Sequence, residues 1–374
     1  MSSLHTGADL TVISHPSLES GPEHHIPDNR HLVVRRRIPG MGGGLVATED
    51  IARGTRIVAE IPILHLSELS ADDEVLEFCK RLSNMPKEDI ERIDSLYAST
   101  AVKGHIKKES WDTIREYYQS GQITNDDGQV VHEIELEALI ESTNLRWTKF
   151  CTNSVWLSGG EESEKRSSAV FPLYSCINHS CAPNVVHAFN ETIQRYTIHA
   201  MHEIKAGEQL FTDYGPGIGK SREDRAKEHS YWGFTCNCIA CTDSEWQEKL
   251  DISRPLREMM EGLIAKNGES STIENNREAL ELSHELQELY AGMGFYLEVS
   301  RLYRKSSKLA LAIGDIASAI EYARKQLVLQ ELHYGTDTEF LRKSATGAQF
   351  WLKHLEALKK KKETETSDGK GGSH

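Results

Sequence analysis

The sequence predicts an α+β fold in which short strands, a helical segment, further strands and a long all-α region follow one another. Three observations support this prediction. Short apolar runs between glycine-dense turns occupy residues 32–61, apolar residues recur at helical spacing over about 67–143, and strand-like runs return after Val170. Residues 246–358 are mostly helical, and 374 residues is long for one hydrophobic core, so two to three domains are expected.

The composition indicates a globular protein with an acidic balance. Hydrophobic residues make up 38% of the chain, which is too many for wholesale disorder. The 43 Lys and Arg residues against 57 Asp and Glu residues give a net charge of −14. This charge disfavours non-specific contact with nucleic-acid phosphates and suits a basic partner. We therefore expect a basic protein partner and no direct nucleic-acid binding.

The sequence offers no sign of a membrane segment or a secretory route. No apolar run approaches the roughly 20 residues that span a bilayer. Residues 1–16 lack the charged-then-apolar order of a secretory signal. Seven cysteines are an odd count in a long chain, which argues against a disulfide framework and for a reducing compartment. A monomer in the nucleus, the cytoplasm or both is expected.

The N-terminal elements are predicted from local composition and periodicity. The first 30 residues are polar, contain three prolines and show no periodicity, which predicts a flexible tail. Short strands are predicted near residues 32–34, 45–48 and 55–61, joined by tight glycine turns.

The middle of the chain follows a helical pattern. Val75, Phe78, Cys79 and Leu82 recur at i, i+3, i+4 and i+7, which predicts one buried helix face. A turn is predicted at 125–128, and the residues rich in Ser, Glu and Gly at 158–168 predict an exposed insertion. Further strands are predicted over 194–201 and 209–214.

The C-terminal region predicts paired helices of the kind found in tetratricopeptide-like repeats, although no clean repeat period is present. Residues 312–315 suit a tight inter-helix turn, and residues 359–374 predict a disordered tail. The lysines at 359–362 are compatible with a nuclear-import patch or, more simply, with a solvated helix end. One helix face is predicted from Ile316, Ala319, Ile320, Ala323 and Leu327.

A cysteine cluster carries the strongest chemical signal. Cys236, Cys238 and Cys241 form C-x-C-x-x-C, and three thiols so close together can wrap one Zn²⁺ ion, which takes four ligands in a tetrahedron. The fourth ligand must come from elsewhere. An iron–sulfur cluster is an alternative to zinc for these cysteines, although its common cysteine spacings differ from this one. Three buried thiols that bind no metal are a second alternative. Three of the other four thiols are predicted to be core residues, namely Cys79, Cys151 and Cys176.

Two further motifs are weaker when taken alone. Residues 178–184, Asn-His-Ser-Cys-Ala-Pro-Asn, follow an apolar run and either present polar groups to a ligand or form an Asx-capped turn. Residues 207–215 begin with a turn and end a strand at Tyr214, and a strand-end tyrosine usually serves packing.

The order of these motifs is more informative than any one of them. The glycine-rich 42–48, then 178–184, then Gly-Glu-Gln-Leu-x-x-x-Tyr at 207–214, then Phe-x-Cys-x-Cys-x-x-Cys at 234–241 form a highly specific set. Over about residues 31–242 the chain resembles the SET-domain protein-lysine methyltransferases. Its order and helical insertion most resemble the SET-and-MYND branch and related fungal SET proteins.

The resemblance implies transfer of a methyl group from S-adenosylmethionine to a lysine of a histone or other basic protein. Tyr214 is the implied catalytic residue beside the methyl group, and Asn178 is implied to fix a knot-like crossing of the chain. Asn144 is a rival of Asn153 for one cofactor contact. The implied ligands of one structural zinc are Cys181, Cys236, Cys238 and Cys241. The implied cofactor contacts are Met41, Gly42, Gly43, Gly44, Asn153, Asn178, His179, Tyr214 and Phe234.

The implied domain organisation has a flexible tail at each end. Between the tails lie a SET domain with a helical insertion, a zinc-binding post-SET segment and a helical C-terminal domain. That last domain resembles a lid over the substrate groove, and an acidic inner face would suit a Lys-rich peptide. The predicted boundaries are 1–30, 31–214 with its insertion at about 67–143, 215–245, 246–358 and 359–374.

Three departures from the family pattern stand out. Met41 and Gly43 occupy positions where relatives often carry a cationic or longer polar residue, so side-chain contacts to the cofactor carboxylate are missing. Residues 67–143 contain only Cys79, so no MYND zinc finger is present. Trp232, next to Tyr231, stands near a position where relatives often have a channel-lining tyrosine.

Residues 41–44, called the glycine edge below, lack the polar side chains that relatives often use to hold the cofactor, which keeps a second interpretation open. In it, the protein is a catalytically weak SET scaffold that acts as a protein-interaction module. A zinc-dependent hydrolase does not fit, because four thiolates close the coordination shell and leave no position for water.

Overall fold

The computed structural model describes His5–Thr6, Ile26, 28–120, 123–124, 133–158, 166–215, 217–265 and 272–368. These residues fall into two compact units. The first unit comprises Met1–Ile26, Glu60–Cys176 and Lys227–Thr235, and the second comprises Pro27–Ala59, Ile177–Ala226 and Cys236–His374. Among the described helices, none combines the length and apolarity that crossing a bilayer requires.

Short strands and long helices alternate as the sequence predicts. The strands are β1 His5–Thr6, β2 Val33–Ile38, β3 Gly42–Ala47, β4 Arg56–Glu60, β5 Leu64–Leu69, β6 Ile123–Thr124, β7 Ser154–Ser158, β8 Arg166–Val170, β9 Asn178–His179, β10 Val185–Asn190, β11 Arg195–Ala200 and β12 Phe211–Thr212. The helices are α1 Ala71–Ser83, α2 Lys87–Asp94, α3 Thr100–His105, α4 Lys108–Ser120, α5 Glu133–Asn153, α6 Arg222–Ser230, α7 Ile239–Thr242, α8 Ser244–Ala265, α9 Ile273–Gly292, α10 Tyr296–Ala312, α11 Ile316–Tyr334, α12 Phe340–Lys343 and α13 Ala348–Asp368.

The first unit is built from helices α1–α5 and the antiparallel sheet β5-β8-β7. Ser70 caps α1 by accepting a hydrogen bond from the amide of Asp73. The predicted helix face is confirmed, since its four apolar residues are buried. Phe78 anchors this core, with its ring centroid 5.0 Å from that of Trp147 and 5.5 Å from that of Phe150, both on α5.

The predicted exposed insertion at 158–168 is wrong at its C-terminal end. Ser167 and Ser168 are buried, because β8 is the central strand between β5 and β7. The hydroxyl of Ser168 donates to Glu74 at 2.6 Å, which compensates for its burial. Residues 159–165, the predicted turn at 125–128 and nearly all of the predicted N-terminal tail lie outside the described residues.

The second unit contains the glycine-rich hairpin, a three-stranded sheet and a short parallel pair. Strand β2 pairs antiparallel with β3 from Val33–Ala47 to Ile38–Gly42. Strands β10, β11 and β4 form one sheet, and β9 pairs in parallel with β12. The strand predicted at 209–214 is shorter than expected, because the amide of Phe211 bonds the side chain of Asn184 and Gln209 bridges to β3.

Helices α8–α13 make up the rest of the second unit. The predicted turn at 312–315 is present, with Gly314 at φ +88° and Asp315 capping α11. Ala319, Ile320 and Ala323 are buried, as their helical spacing predicts. The prediction of a disordered tail is wrong for residues 359–368, because α13 continues to Asp368, and residues 369–374 lie outside the described residues. Lysine–glutamate pairs at i, i+4 support this last stretch of helix.

Candidate active site and metal centre

Four cysteine side chains converge in the second unit. The Sγ atoms of Cys181, Cys236, Cys238 and Cys241 all lie within 4.8 Å of one another. The Sγ of Cys181 lies 4.0 Å from that of Cys236 and 3.6 Å from that of Cys241. Ligand sulfurs in a zinc tetrahedron lie about 3.8 Å apart, given Zn–S bonds of about 2.3 Å. The donor set and spacing therefore fit a closed structural zinc site.

A buried guanidinium lies against this thiol cluster. Arg225 on α6 is 2% exposed, and its Nη2 lies 3.8 Å from Cys241 Sγ while donating to the carbonyl of Ala240 at 3.0 Å. Its Nη1 donates to the carbonyl of Lys220 at 2.9 Å. A zinc ion with four thiolates carries a net charge of −2, so a fixed cation beside it offsets charge that burial would otherwise penalise. Hydrogen bonds among the four thiols lower the pKa of Cys238 and of Cys241, whereas the pKa of Cys181 and of Cys236 is raised.

His179 connects the thiol cluster to Tyr214. The backbone amide of Tyr214 donates to Nδ1 of His179 at 3.1 Å, which places the ring proton on Nε2. Nε2 lies 3.5 Å from Cys181 Sγ, within reach of a hydrogen bond to sulfur. The imidazole is 2% exposed. The ring of His179 is thus engaged inside the protein.

The tyrosine hydroxyl is held at a defined position. Tyr214 Oη donates to the backbone carbonyl of Ile177 at 2.9 Å. A hydroxyl that donates its proton in this way presents its lone pairs to whatever binds next to it. Asp213 shapes the following turn, because its carboxylate accepts the amides of Gly215 and Gly217, each at 3.1 Å.

Asn178 on β9 connects the glycine edge to the β9–β12 strand pair. Its Nδ2 donates to the carbonyl of Gly43 at 3.0 Å. A Cβ placed on Gly44 would lie 2.7 Å from Ile38 Cγ1 and 3.0 Å from Asn178 Nδ2, so only glycine fits there. The structure therefore brings Gly43, Gly44, Asn178, His179 and Tyr214 together in one unit, as the sequence predicts.

The exposed end of the glycine edge is open and faces cations. A Cβ on Gly42 would meet nothing within 4 Å, and Met41 is 46% exposed. Across the hairpin, the Nε of Arg35 would lie 3.2 Å from a Cβ on Gly43. Arg35, Arg36 and Arg37 line one open pocket with Gly42 and Gly43.

Asn153 and Phe234 belong to the first unit, whereas the other predicted site residues belong to the second. The Nδ2 of Asn153 donates to the carbonyls of Tyr97 and Lys149, at 2.8 and 2.7 Å, so its Oδ1 is the group left to accept. Its rival Asn144 has a buried Oδ1 without a partner among the described residues. The ring of Phe234 stacks on His229 at a centroid distance of 5.2 Å. Their roles toward a cofactor remain predictions.

Three residues of the site were not singled out from the sequence. Arg225 and Arg35 have no sequence signal, because each acts through a partner on another element. Asp213 does have a sequence signal, since an Asp followed two residues later by Gly is typical of an Asx turn.

The cysteines predicted to be core residues behave as such. Cys79 and Cys176 are buried and Cys151 is half-buried. Burial raises the pKa of Cys79 and that of Cys151 to about 12.

Comparison with known proteins agrees with this fold. Residues 42–215 match the SET domain family, and the predicted SET fold of this segment is confirmed. The chain is 27% identical over 307 residues to histone-lysine N-methyltransferase set5 of Schizosaccharomyces pombe, covering 81% of this chain and 79% of that one. It is 32% identical over 213 residues to N-lysine methyltransferase SMYD2 of Gallus gallus, covering 52% and 46%.

The predicted likeness to fungal SET proteins and the SET-and-MYND branch is thereby confirmed, although the chain spans only about half the length of SMYD2. A solved SET domain of LSMT bound to lysine and AdoHcy covers 88% of this chain at 16% identity. Its TM-score of 0.29 is too low to support any argument about this protein.

Proposed function

We propose that this protein is a protein-lysine N-methyltransferase that uses S-adenosylmethionine. The observation that carries the proposal is the junction of Asn178, His179 and Tyr214 with the glycine edge at Gly43, inside the segment that matches the SET domain. Homology to two lysine methyltransferases supports the same conclusion.

The residues present fit the cofactor. When bound, S-adenosylmethionine supplies a methyl group on a positively charged sulfur. The open backbone at Gly42 permits close approach of the methionine part. Arg35 above Gly43 provides a cation suited to its carboxylate, which offsets the side chains missing at Met41 and Gly43. Asn153 and Phe234 are proposed as further contacts, to the amino group and the adenine.

Tyr214 is proposed to act on the lysine and the transferring methyl group. A free lysine has a pKa of about 10.4, so the site must take up its amine in the neutral form. Because the hydroxyl of Tyr214 donates to the carbonyl of Ile177, its oxygen is oriented to accept contact from the reacting groups. His179 positions Tyr214 through the backbone amide and is not itself proposed to transfer a proton.

The four-cysteine cluster is proposed to hold one structural zinc ion through Cys181, Cys236, Cys238 and Cys241. The ion would fix the segment after the SET strands to β9. Because four sulfurs complete the shell, the metal would stabilise the fold and take no part in the reaction.

The proposed substrate is a lysine-bearing basic protein, a histone or another. The net charge of −14 favours such a partner and disfavours nucleic acid. We further propose that the protein acts as a monomer in the nucleus, the cytoplasm or both, and that the domain boundaries follow those predicted from the sequence.

The test is labelling of a cell lysate by the purified, zinc-loaded chain with isotopically labelled S-adenosylmethionine, followed by mass spectrometry of the labelled protein. We expect methyl-lysine on a basic protein. Tyr214→Phe is expected to lower turnover about 100-fold or more while calorimetric cofactor binding persists.

Tyr196→Phe is the matched control, because it also removes a hydroxyl that is hydrogen-bonded, here to His187 Nδ1 at 2.6 Å. This control is expected to keep full turnover. Equal turnover of wild type and Tyr214→Phe would remove Tyr214 from the mechanism. Cofactor binding without any methylated product would favour the scaffold interpretation instead.

A further inference from the structure

Two arginines from different helices hold the backbone that follows the proposed catalytic tyrosine. Arg225 on α6 donates from Nη1 to the carbonyl of Lys220 at 2.9 Å. Arg257 on α8 donates from Nη1 to the carbonyl of Ile218 at 3.2 Å. Both contacts fall on residues 217–220, the clamped loop, and all of these residues lie in the second unit. The clamped loop is therefore attached both to the helix beside the thiol cluster and to a C-terminal helix.

Each arginine approaches the clamped loop next to a glycine. A Cβ on Gly217 would lie 3.2 Å from Arg225 Cδ, and a Cβ on Gly219 would lie 2.9 Å from Arg257 Nη1. The backbone of Gly219 has φ +98°, a conformation that residues with a side chain rarely adopt. Glycine at this position therefore lets the guanidinium reach the neighbouring carbonyl, and a methyl group there would push the two apart.

The clamped loop is joined to Tyr214 through Asp213. The carboxylate of Asp213 accepts the backbone amide of Gly217 through Oδ2 at 3.1 Å. The next residue along the chain is Tyr214, whose amide donates to His179 and whose hydroxyl donates to the carbonyl of Ile177. A displacement of Gly217 is therefore transmitted to Asp213 and, with it, to the backbone that directs the tyrosine ring.

Arg257 is itself fixed by carboxylates on two helices. Its Nε lies 3.2 Å from the carboxylate of Glu261 on α8, and its Nη1 lies 3.7 Å from that of Glu298 on α10. Glu298 is 7% exposed and also pairs with Arg301 on its own helix. Because the guanidinium is planar and its donors point in fixed directions, these carboxylates set the direction in which it meets the loop carbonyl.

We propose that Arg257 is a positioning residue for Tyr214, and that it acts from the C-terminal helices through the clamped loop and Asp213. It is assigned no contact with the cofactor or with the lysine. The inference rests on the proposed methyl transfer and deepens it, because it gives the C-terminal helices a part in setting the geometry of the active site. The contacts that carry it are hydrogen bonds between named groups, so the coupling between them can be measured directly.

The first test replaces Arg257 by lysine in the full-length, zinc-loaded protein. Arg257→Lys keeps a cation beside Glu261 and Glu298, but it lacks the planar fork that serves them and the loop carbonyl together. We expect labelled methyl groups to enter a cell lysate about tenfold or more slowly than with wild type at saturating S-adenosylmethionine, because small displacements at a reacting centre are costly. Cofactor affinity by calorimetry, zinc content and melting temperature should stay near their wild-type values. Arg254→Lys, on the same helix and paired with Asp251, is the matched control and should keep the wild-type rate.

The second test breaks the same contact from the loop side. Gly219→Ala should slow methyl transfer by a similar factor, and the double variant Arg257→Lys/Gly219→Ala should be no slower than the slower single variant, since both changes remove one contact. Gly314→Ala is the matched control for backbone strain, because Gly314 has φ +88° and a Cβ there would meet nothing within 4 Å. It should melt at a lower temperature and keep the wild-type rate. If Gly219→Ala loses its melting transition, the exchange measurement on Arg257→Lys alone decides the outcome.

Hydrogen–deuterium exchange separates a failure of this inference from a failure of the proposed function. In Arg257→Lys without cofactor, the backbone amides of residues 213–220 should exchange about tenfold or more faster than in wild type, whereas Arg254→Lys should match wild type. Faster exchange together with a wild-type protein that methylates nothing would support the loop contact and contradict the proposed function. Unchanged exchange, a lower melting temperature with an unchanged rate in Arg257→Lys, or rate losses that multiply in the double variant would each overturn the inference.

Discussion

The two units of this protein use the same side chain in opposite ways. In the first unit, Cys79 and Cys151 lie among hydrocarbon, and burial raises the pKa of each to about 12. In the second unit, Cys241 lies among other thiols, and hydrogen bonds among them lower the pKa of Cys238 and of Cys241, whereas the pKa of Cys181 and of Cys236 is raised. Burial alone keeps a thiol protonated, whereas converging thiols compete for their protons, and a metal ion that binds all four would displace the protons that remain.

The contrast shows that exposure does not separate structural from metal-binding cysteines. Cys79 is 0% exposed and Cys241 is 4% exposed. What differs is the neighbourhood, since Cys79 lies in the core around Phe78, whereas Cys241 lies near Cys181 and Arg225. A metal site is therefore recognised from converging donors and a compensating charge.

Replacement of one cysteine in each unit is expected to give the largest difference in zinc content and in melting temperature. Cys238→Ser should abolish stoichiometric zinc and lower the melting temperature strongly, because metal-binding free energy at such sites is folding free energy. Cys79→Ser should cost about 1–3 kcal/mol, since it buries a hydroxyl in an apolar core, but should keep one zinc per chain. For each variant, elemental analysis measures the zinc content and thermal unfolding measures the stability. A wild-type chain without zinc, or a Cys238→Ser chain with it, would contradict the assignment.

Sequence reasoning predicted the thiol cluster only in part. The spacing of Cys236, Cys238 and Cys241 indicates a metal by itself, because side chains so close in sequence meet whatever the fold. Cys181 is 55 residues from Cys236 along the chain, and only the resemblance to SET domains identified it. Arg225 could not be predicted, because nothing local indicates which of many arginines a fold will bury.

The same limit explains the errors in the fold. Residues 166–168 look like a polar loop, yet they form the centre of a sheet whose partners β5 and β7 lie at different distances along the chain. Long-range pairing overrides local composition there.

Arg225→Gln is expected to have a smaller effect than Cys238→Ser, because it weakens zinc binding without removing a ligand. It removes the cation beside Cys241 but leaves all four sulfurs, so zinc affinity should fall about 10–100-fold, the usual loss for a residue that supports metal ligands. Competition with a chromophoric chelator measures the change. Arg222→Gln, an exposed arginine on the same helix, should match wild type. Equal zinc affinity for all three proteins would show that the cluster does not need the cation.

His333→Phe extends the comparison to a buried histidine whose charged neighbours are the basic groups Arg53 and His202, and its effect should be the smallest. His333 is 0% exposed, and neither ring nitrogen has a partner among the described residues. Burial lowers the pKa of His333 to about 4, below the value of about 6.5 for an unfolded histidine. Between these values the unfolded chain binds the proton and the folded chain does not, so stability falls as pH decreases from about 6.5 toward 4.

Phenylalanine removes both the titration and two unsatisfied polar atoms at nearly constant shape, so His333→Phe should melt slightly higher at pH 7.5. It should also lose less stability than wild type on acidification, although protonation of the thiol cluster adds a loss common to both. His354→Phe, at an exposed histidine of α13, should follow the wild-type curve. Parallel curves for His333→Phe and wild type would mean that His333 is protonated in the folded state, and burial without partners would then not govern its charge.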